Sequence, residues 1–199
     1  MYKKYFKRLL DLFFCIIGLP VFFLLMLLIT PIILITDKGS VFYNANRLGK
    51  NGKLFKMYKF RTMYMNAPDI RNEDGSTYNS ENDPRVTPIG RFLRKTSIDE
   101  FPQFLNILRN EMSLVGPRPG LPLEDDIMPD DEKKRRSIAP GITGYSQALF
   151  RNSDSVEERM KNDIYYVNNV SLFLDIKIII KTIASVIKRK NINRNDVKR

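Results

Sequence analysis

The chain lacks histidine and tryptophan, and it has a single cysteine among its 199 residues. Without imidazole, neither a histidine-based catalytic triad nor a histidine metal site can form. The lone cysteine, Cys15, excludes an intramolecular disulfide and a zinc site made of several thiolates. Catalysis must therefore use carboxylates, amines, guanidinium groups or hydroxyls. A metal would be a hard cation held by oxygen atoms, and Mg²⁺ is the first expectation.

Acidic residues are also in short supply relative to basic ones. The chain has 22 Asp and Glu against 33 Lys and Arg, which gives a net charge of +11. An excess of this size indicates a polyanionic partner, which can be a nucleic acid, anionic lipid headgroups or a phosphorylated substrate. The length is sufficient for one catalytic domain and an anchor.

One segment near the N-terminus, from Leu12 to Ile35, has no charged residue at all. As a single helix, these residues would reach about 36 Å, whereas the hydrocarbon core of a bilayer is about 30 Å thick. The run is longer than the apolar part of a signal peptide, and no small-residue cleavage site follows it. The sequence therefore predicts a retained membrane anchor.

The topology of this anchor follows from a proline and from the flanking charges. Pro20 lies inside the run, after Gly18 and Leu19, and predicts a kink or break in the helix. Both flanks are basic, which by the positive-inside rule places both ends in the cytoplasm. A re-entrant helix that is broken at Pro20 satisfies both observations, and a proline-kinked spanning helix is the alternative. The flanking basic residues are Lys3, Lys4, Lys7, Arg8, Lys38, Arg47, Lys50 and Lys53.

Past the anchor, the pattern predicts an α+β fold that is mostly helical. Residues 40–46 and 54–63 read as two strands joined by an Asn-Gly hairpin turn, and residues 66–88 read as a long loop. Short helical patterns follow at 89–95, 101–110, 129–138 and 155–168. We divide the chain into the anchor (1–37), a cytoplasmic catalytic domain (38–171), a basic amphipathic helix (172–190) and a polar tail (191–199).

The predicted C-terminal helix has isoleucines at helical spacing, with lysines placed away from them. This pattern suits a helix that lies in a membrane interface. An apolar stripe that packs on the protein's own core explains the same spacing. The isoleucines are Ile176, Ile179, Ile180, Ile183 and Ile187.

The strongest candidate for chemistry is the pair of adjacent carboxylates Asp99 and Glu100. The pair could bind Mg²⁺, or one member could act as a nucleophile, and like charges this close should perturb each other's titration. A structural alternative also exists. Asp99 could cap a helix that has Pro102 in its first turn, or Ser97 and Glu100 could form a capping box.

Three further segments carry weaker signals for phosphate binding. In Gly116-Pro117-Arg118-Pro119, two prolines present one arginine with little entropy to lose, although a rigid turn with a solvated arginine fits equally well. Lys59 and Arg61 fall on one face of a strand and could line a phosphate site or the surface. The turn sequence at 140–144 has backbone amides that could hold an anion.

Taken together and in order, these segments resemble the bacterial sugar transferase family, the monotopic phosphoglycosyl transferases, in their minimal form. The resemblance extends over nearly the whole chain and rests on an ordered set of motifs that is very specific. The matching motifs are YKFRTM (58–63), GRFLR (90–94), SIDEFPQ (97–103), MSLVGPRP (112–119), PGITG (140–144) and DIYYV (163–167).

The resemblance implies a Mg²⁺-dependent reaction of a UDP-sugar with undecaprenyl phosphate, on the cytoplasmic face of the bacterial inner membrane. It implies that Asp99 is the nucleophile that releases UMP, and that Glu100 is a metal ligand or an acid/base helper. An ionised carboxylate needs no base, which suits a chain without histidine. Phosphoryl transfer needs neutralisation of the negative charge on the phosphates, and the groups suited to this are Lys59, Arg118 and Mg²⁺. The resemblance also assigns Arg94, Arg151 and Asp175 to the substrate site.

Two departures and two competing functions accompany this interpretation. The family often has Ser-Pro at the membrane break and Gly-Arg-Asn after the Pro-Gly turn, where this chain has Leu19-Pro20 and Phe150-Arg151-Asn152. A basic nucleic-acid-binding membrane protein would use the same charge, but the sequence has no nucleic-acid-binding motif. A catalytically silent scaffold of the same fold is the other alternative. We expect an anionic phospholipid membrane as a partner, no nucleic acid, and leave a homo-oligomer open.

Overall fold

A computed structural model describes residues 1–70, 78, 80, 82–122, 133–150 and 155–188 of the chain. The first element is a short π-helical turn (Tyr2–Phe6), which leads into α1 (Lys7–Thr36). The strands are β1 (Phe42–Leu48), β2 (Leu54–Phe60), β3 (Ser113–Val115) and β4 (Gly141–Thr143). The other helices are α2 (Pro88–Thr96), α3 (Gln103–Leu108), α4 (Tyr145–Leu149), α5 (Val156–Asn168) and α6 (Leu172–Ile187).

The predicted hairpin is confirmed. β1 and β2 pair antiparallel, from Leu48 opposite Leu54 to Phe42 opposite Phe60. Between them, Asn51 and Gly52 have φ angles of +56° and +74°, a left-handed conformation that Asn and Gly adopt most readily. β1 begins and ends two residues later than predicted, and β2 ends three residues earlier, because local sequence does not specify where pairing stops.

The segment predicted to be the anchor forms one uninterrupted helix, so a break at Pro20 is wrong, whereas a kink there and a re-entrant topology stay predictions. α1 stays helical through Pro20 and Pro31 over 30 residues. A proline removes only one backbone hydrogen bond, and the remaining bonds of a long apolar helix hold the backbone in place. Lys7, Asp11, Cys15, Phe22, Ile29 and Ile33 are buried at spacings of four and seven residues, which makes one face. By length and composition this helix could cross a membrane.

β3 and β4 form a parallel pair, so the described residues contain two two-stranded sheets. α4, α5 and α6 pack around this second pair, and their core contains Val115, Ile138, Ala148, Tyr166 and Ile178. α5 begins with a capping box in which Ser155 and Glu158 satisfy each other's backbone amides. The α+β class is confirmed, whereas membrane association and the division into 1–37, 38–171, 172–190 and 191–199 stay predictions.

Two helix predictions have different outcomes. The isoleucine stripe of α6 is exposed at Ile176, Ile180, Ile183 and Ile187, and only Ile179 packs against the core. The stripe therefore does not serve mainly to fill the protein's own core. The helix predicted at 129–138 lies partly outside the described residues, and its described part is a 3₁₀ turn at Lys134–Ser137.

Candidate active site

The two adjacent carboxylates lie in a short turn between two helices. Thr87 caps α2 by accepting a hydrogen bond from the Gly90 amide at 3.0 Å, and α2 ends at Ser97, which is left-handed with φ +57°. A 3₁₀ turn (Ile98–Glu100) follows, and α3 begins after Pro102. Neither of the two predicted caps is present, because no side chain caps the 3₁₀ turn or α3. Asp99 and Glu100 are thus not used as helix caps.

Asp99 is buried, with only 9% of its surface exposed. The pKa of Asp99 is raised to about 6, chiefly by burial and less by the charge of Glu100, while the charges of Lys59 and Arg94 oppose the shift. Among the described residues, no side chain donates a hydrogen bond to this carboxylate. Its oxygens are therefore available to an incoming electrophile or cation.

Glu100 is held by a lysine from the hairpin. Lys59, near the end of β2, donates from Nζ to Glu100 Oε1 at 2.6 Å, and both side chains are between a fifth and a third exposed. The ammonium group also lowers the pKa of Asp99, so it lies close to both carboxylates. The structure therefore brings Lys59, Asp99 and Glu100 together.

Arg94 joins this cluster from the last turn of α2. Its Nε donates to Thr62 Oγ1 at 2.9 Å, which fixes the plane of the guanidinium group. Burial lowers the pKa of Arg94, while the charges of Asp99 and Asp83 oppose that shift. Asp83 is itself fully buried and paired with Arg85 at 2.7 Å. The Arg94 guanidinium group is therefore a positive charge close to Asp99, and Thr62 holds it in one orientation.

The carboxylates suit a hard divalent cation. Mg²⁺ usually takes one or two protein carboxylates and completes its shell with water and substrate phosphates. Asp99 has oxygens that accept no side-chain hydrogen bond within the described part of the chain, and Glu100 lies next to it. No group of three or more His, Cys, Asp or Glu comes together among the described residues. A cation here would therefore depend on substrate phosphate for much of its coordination.

The turn that contains Asp99 and Glu100 packs directly on α1. Phe22, Ile29 and Ile33 of α1 form one core cluster with Phe60 and Leu93. Ile98 and Phe101, which flank the carboxylate pair, pack against this cluster. The site therefore lies directly against the helix that could enter a membrane.

The other predicted site residues lie elsewhere or outside the described residues. Arg61 donates to Asp37 Oδ2 at 2.5 Å and to the Ser40 carbonyl, which ties β2 to the end of α1. Arg118 is exposed at the edge of a separate pocket. Asp175 is fully buried and accepts hydrogen bonds from Tyr2, Lys7 and Tyr166. Arg151 lies outside the described residues.

Sequence reasoning missed Thr62, which accepts a hydrogen bond from Arg94, and Asp83, whose charge acts on Arg94. It also missed the partners of Asp175. Thr62 lies within the motif at 58–63, but a hydroxyl there gives no signal of its own. Asp175 and its lysine partner are 168 residues apart, so no local pattern connects them. Sequence reasoning also missed Asp11, which is buried in α1 and accepts hydrogen bonds from Ser113 and the Leu114 amide. Its sequence position could have indicated this role, since a lone carboxylate at the edge of an apolar helix needs a partner when it is buried.

The chain is similar to known proteins over most of its length. The Bacterial sugar transferase family matches residues 2–189 of the chain. The chain is 42% identical to the exopolysaccharide production protein ExoY of Rhizobium meliloti (strain 1021), over 90% of this chain and 84% of that protein. It is 41% identical to the galactosyl transferase CpsE of Streptococcus agalactiae serotype III (strain NEM316), over 91% of this chain and 42% of that protein.

A third relative has a more specific name. The undecaprenyl-phosphate galactose phosphotransferase of Salmonella typhimurium (strain LT2) is 41% identical over 77% of this chain and 34% of its own length. The chain thus spans about two fifths of the Streptococcus relative and about a third of the Salmonella relative. Because the family match covers almost every residue and includes the carboxylate pair, the chain belongs to the bacterial sugar transferase family.

Proposed function

We propose that this protein transfers a sugar 1-phosphate from a UDP-sugar to undecaprenyl phosphate, at the cytoplasmic face of a bacterial inner membrane. The observation that carries the proposal is the Asp99 carboxylate, which is buried, lacks a side-chain hydrogen-bond donor among the described residues, and lies beside Arg94, Lys59 and Glu100. Burial of a carboxylate is costly, and ionisable residues whose pKa is shifted by burial and by neighbouring charges concentrate at sites of chemistry.

In the first step, a carboxylate oxygen of Asp99 forms a bond to the phosphorus that carries the sugar. The bond between that phosphorus and the bridging oxygen of the diphosphate breaks, and UMP leaves with the electron pair. The product is a sugar-phosphoryl-aspartate. In the second step, a phosphate oxygen of undecaprenyl phosphate forms a bond to the same phosphorus, and the Asp99 carboxylate is released.

The surrounding residues perform positioning and charge neutralisation, which account for most of phosphoryl-transfer catalysis. The guanidinium group of Arg94, oriented by Thr62, binds oxygens of the transferred phosphate. Lys59 holds Glu100 and keeps part of the Asp99 population ionised by lowering its pKa. Mg²⁺ held by Asp99 and Glu100 would neutralise diphosphate charge when bound. Arg118, Arg151 and Asp175 are not needed for this proposal, and their predicted substrate contacts stay predictions.

The position of the site against α1 supports a lipid acceptor. Undecaprenyl phosphate presents its phosphate at the membrane surface, so the nucleophile must lie at the same depth. The residues on both sides of Asp99 pack on Phe22 and its neighbours in α1, while the opposite face of α1 exposes large apolar side chains. A site attached to such a helix can reach the acceptor without extracting it from the bilayer.

The proposal is tested with detergent-solubilised protein, Mg²⁺ and a panel of UDP-sugars. UMP release in the presence of undecaprenyl phosphate identifies the donor. Exchange of radiolabelled UMP into the UDP-sugar, without acceptor lipid, reports the first step alone. We expect both activities in the wild type and neither in Asp99→Asn.

The matched control is Glu157→Gln, which removes an exposed carboxylate from α5 and should leave both activities intact. UMP release that survives in Asp99→Asn would contradict covalent catalysis at this residue. Release that depends on acceptor lipid, with no UMP exchange in the wild type, would indicate direct transfer between the two substrates instead. No release from any donor would contradict the enzymatic function as a whole.

A further inference from the structure

Asn106 of α3 is a fully buried polar side chain that the proposed reaction does not use. Its Nδ2 donates to the Lys56 carbonyl at 2.7 Å and to Glu111 Oε2 at 2.7 Å, and its Oδ1 accepts from the Tyr58 amide at 3.0 Å. Both amide hydrogens and the carbonyl oxygen of this side chain are therefore used. Because a flipped amide would place donor against donor and acceptor against acceptor, the surroundings allow only one orientation.

Two of these hydrogen bonds replace a missing strand at one edge of the hairpin. In the described part of the chain, β2 has β1 as its only strand partner. Lys56 and Tyr58 are two residues apart, so the Lys56 carbonyl and the Tyr58 amide point to the same edge of β2. The Asn106 side chain bonds both groups, as a residue of a neighbouring strand would. A shift of α3 by one residue along β2 would break both bonds.

The position of α3 along β2 also determines where Lys59 lies. Side chains alternate along a strand, so Phe55, Met57 and Lys59 project from one face of β2. Phe55 and Met57 belong to one core cluster with Ile107 of α3. Lys59 is the next residue on this face, and it donates to Glu100 at 2.6 Å, three residues before α3 begins. A shift of one residue would displace the Lys59 backbone by about 3.4 Å relative to the carboxylates.

The other contacts between the hairpin and α3 are less able to fix this position. Apolar packing is non-directional, so Phe55 and Met57 hold α3 against β2 without specifying its place along the strand. The Lys59–Glu100 pair is between a fifth and a third exposed, and solvent weakens such pairs. A cation bound to Glu100 would also compete with Lys59 for the carboxylate. The hydrogen bonds of Asn106 are enclosed, where they are electrostatically stronger.

We infer that Asn106 is a positioning residue: its side-chain amide fixes α3 at one place along β2 and thereby keeps the Lys59 ammonium group at Asp99 and Glu100. The catalytic consequence of this placement rests on the proposed function, because Lys59 acts there on the two carboxylates. The placement of Lys59 itself is measurable without turnover, so the positioning role and the proposed function can fail separately.

The first measurement is the rate at which Lys59 reacts with an amine-acylating reagent in the full-length protein in detergent, followed by mass spectrometry of the peptide that contains it. Asn106→Asp keeps an acceptor for the Tyr58 amide but loses both donors of the side chain. We expect Lys59 to react at least threefold faster in this variant than in the wild type. Lys53, at the exposed turn of the hairpin, is the internal reference, and its rate should not change.

The matched control is Glu111→Gln, whose side-chain oxygen still accepts from Asn106 and leaves both bonds to β2 in place. In this control, Lys59 should react at its wild-type rate. An unchanged rate in Asn106→Asp, or an equal rise in Glu111→Gln, would overturn the inference. Thermal unfolding shows whether each variant is folded at the labelling temperature. If Asn106→Asp does not fold, Asn106→Ser takes its place with the same expectation, because one hydroxyl cannot bond both backbone groups of β2.

The second measurement is a double-mutant cycle on UMP release that combines Asn106→Asp with Lys59→Met. We expect Asn106→Asp to lower kcat at least tenfold when Lys59 is present, and less than threefold in Lys59→Met, which has no ammonium group to position. Equal losses in both backgrounds would indicate a general structural defect and would overturn the positioning role. A wild type without UMP release, combined with faster labelling of Lys59 in Asn106→Asp, would contradict the proposed function alone and support the placement of Lys59 by Asn106.

Discussion

Asp99 combines two requirements that oppose each other at the scale of a single residue. A nucleophilic carboxylate must be ionised, whereas burial favours its neutral form. The sequence predicted that the neighbouring carboxylate would perturb the titration of Asp99. Burial is the largest cause of the raised pKa, however, and the rise that Glu100 adds is smaller than the opposing effect of Lys59. The identity of the residue could be predicted from the motif, whereas its environment could not, because α1 and β2 supply it from far along the chain.

The raised pKa of Asp99 predicts a pH-dependent cost in stability. The unfolded value is 3.8 and the folded value is about 6, so between these values the folded state keeps a proton that the unfolded state has lost. This group therefore destabilises the fold as the pH rises from about 4 to about 6. A shift of about two pH units corresponds to ~3 kcal/mol. Asp99→Asn does not ionise, so it should unfold at a higher temperature than the wild type at pH 7.5.

The measurement is thermal unfolding in detergent with EDTA, so that no divalent cation stabilises the ionised form. At pH 7.5 the difference in Tm should be several degrees, and at pH 4 it should vanish. A difference that is the same at both pH values would show that Asn packs better than Asp, independently of ionisation. Glu157→Gln, at an exposed ion pair, should show no difference at either pH.

At the scale of elements, polar contacts attach the first turns of α1 to the rest of the protein. Lys7 pairs with Asp175, Arg8 donates to the Ile107 carbonyl at 2.7 Å, and Asp11 accepts from Ser113 and from the Leu114 amide. Each of these contacts joins residues about 100 or more positions apart in sequence. Local patterns predicted the helix and the hairpin, but they did not predict which face of α1 is buried or what it is buried against.

Of these contacts between α1 and the rest of the protein, we expect the Lys7–Asp175 ion pair to contribute most to stability. Asp175 is fully buried and accepts from Tyr2, Lys7 and Tyr166 at 2.5–2.8 Å. Asp175→Ala would leave the buried Lys7 ammonium group and the Tyr2 hydroxyl without this acceptor, while the Tyr166 hydroxyl would keep the Val115 carbonyl. Removal of one partner from a buried ion pair typically costs about 3–5 kcal/mol. We expect a fall in Tm of several degrees or more in detergent, with greater protease sensitivity of the N-terminus.

The comparison for this variant is Glu157→Ala, which breaks the 2.6 Å ion pair with Lys161 on α5. Both of those side chains are 72% exposed, and solvent screens the interaction. Its Tm should not change measurably. Equal effects of the two substitutions would contradict the view that Asp175 fastens α1 to α6.

At the scale of the whole molecule, the large exposed apolar side chains are concentrated on α1 and α6. α1 exposes Phe13, Ile16, Leu24, Leu27 and Ile35, each with more than half of its surface accessible. α6 exposes its isoleucine stripe, and the Lys7–Asp175 pair joins α6 to the start of α1. Exposed apolar surface of this extent indicates a site that contacts a membrane or another protein. The fold class could be predicted from sequence, but this arrangement could not, since it depends on how the two helices pack on the domain.

Both ends of α1 contact the same domain, through Lys7 and Asp175 at one end and Asp37 and Arg61 at the other. A helix of 30 residues is about 45 Å long, so a spanning orientation would pull the domain into the bilayer alongside it. We therefore expect both ends on the cytoplasmic side. In a Cys15→Ala background, single cysteines at positions 3 and 38 should resist a membrane-impermeant maleimide added to intact cells. Both should react once the inner membrane is opened, whereas reaction at position 3 in intact cells would establish a spanning helix instead.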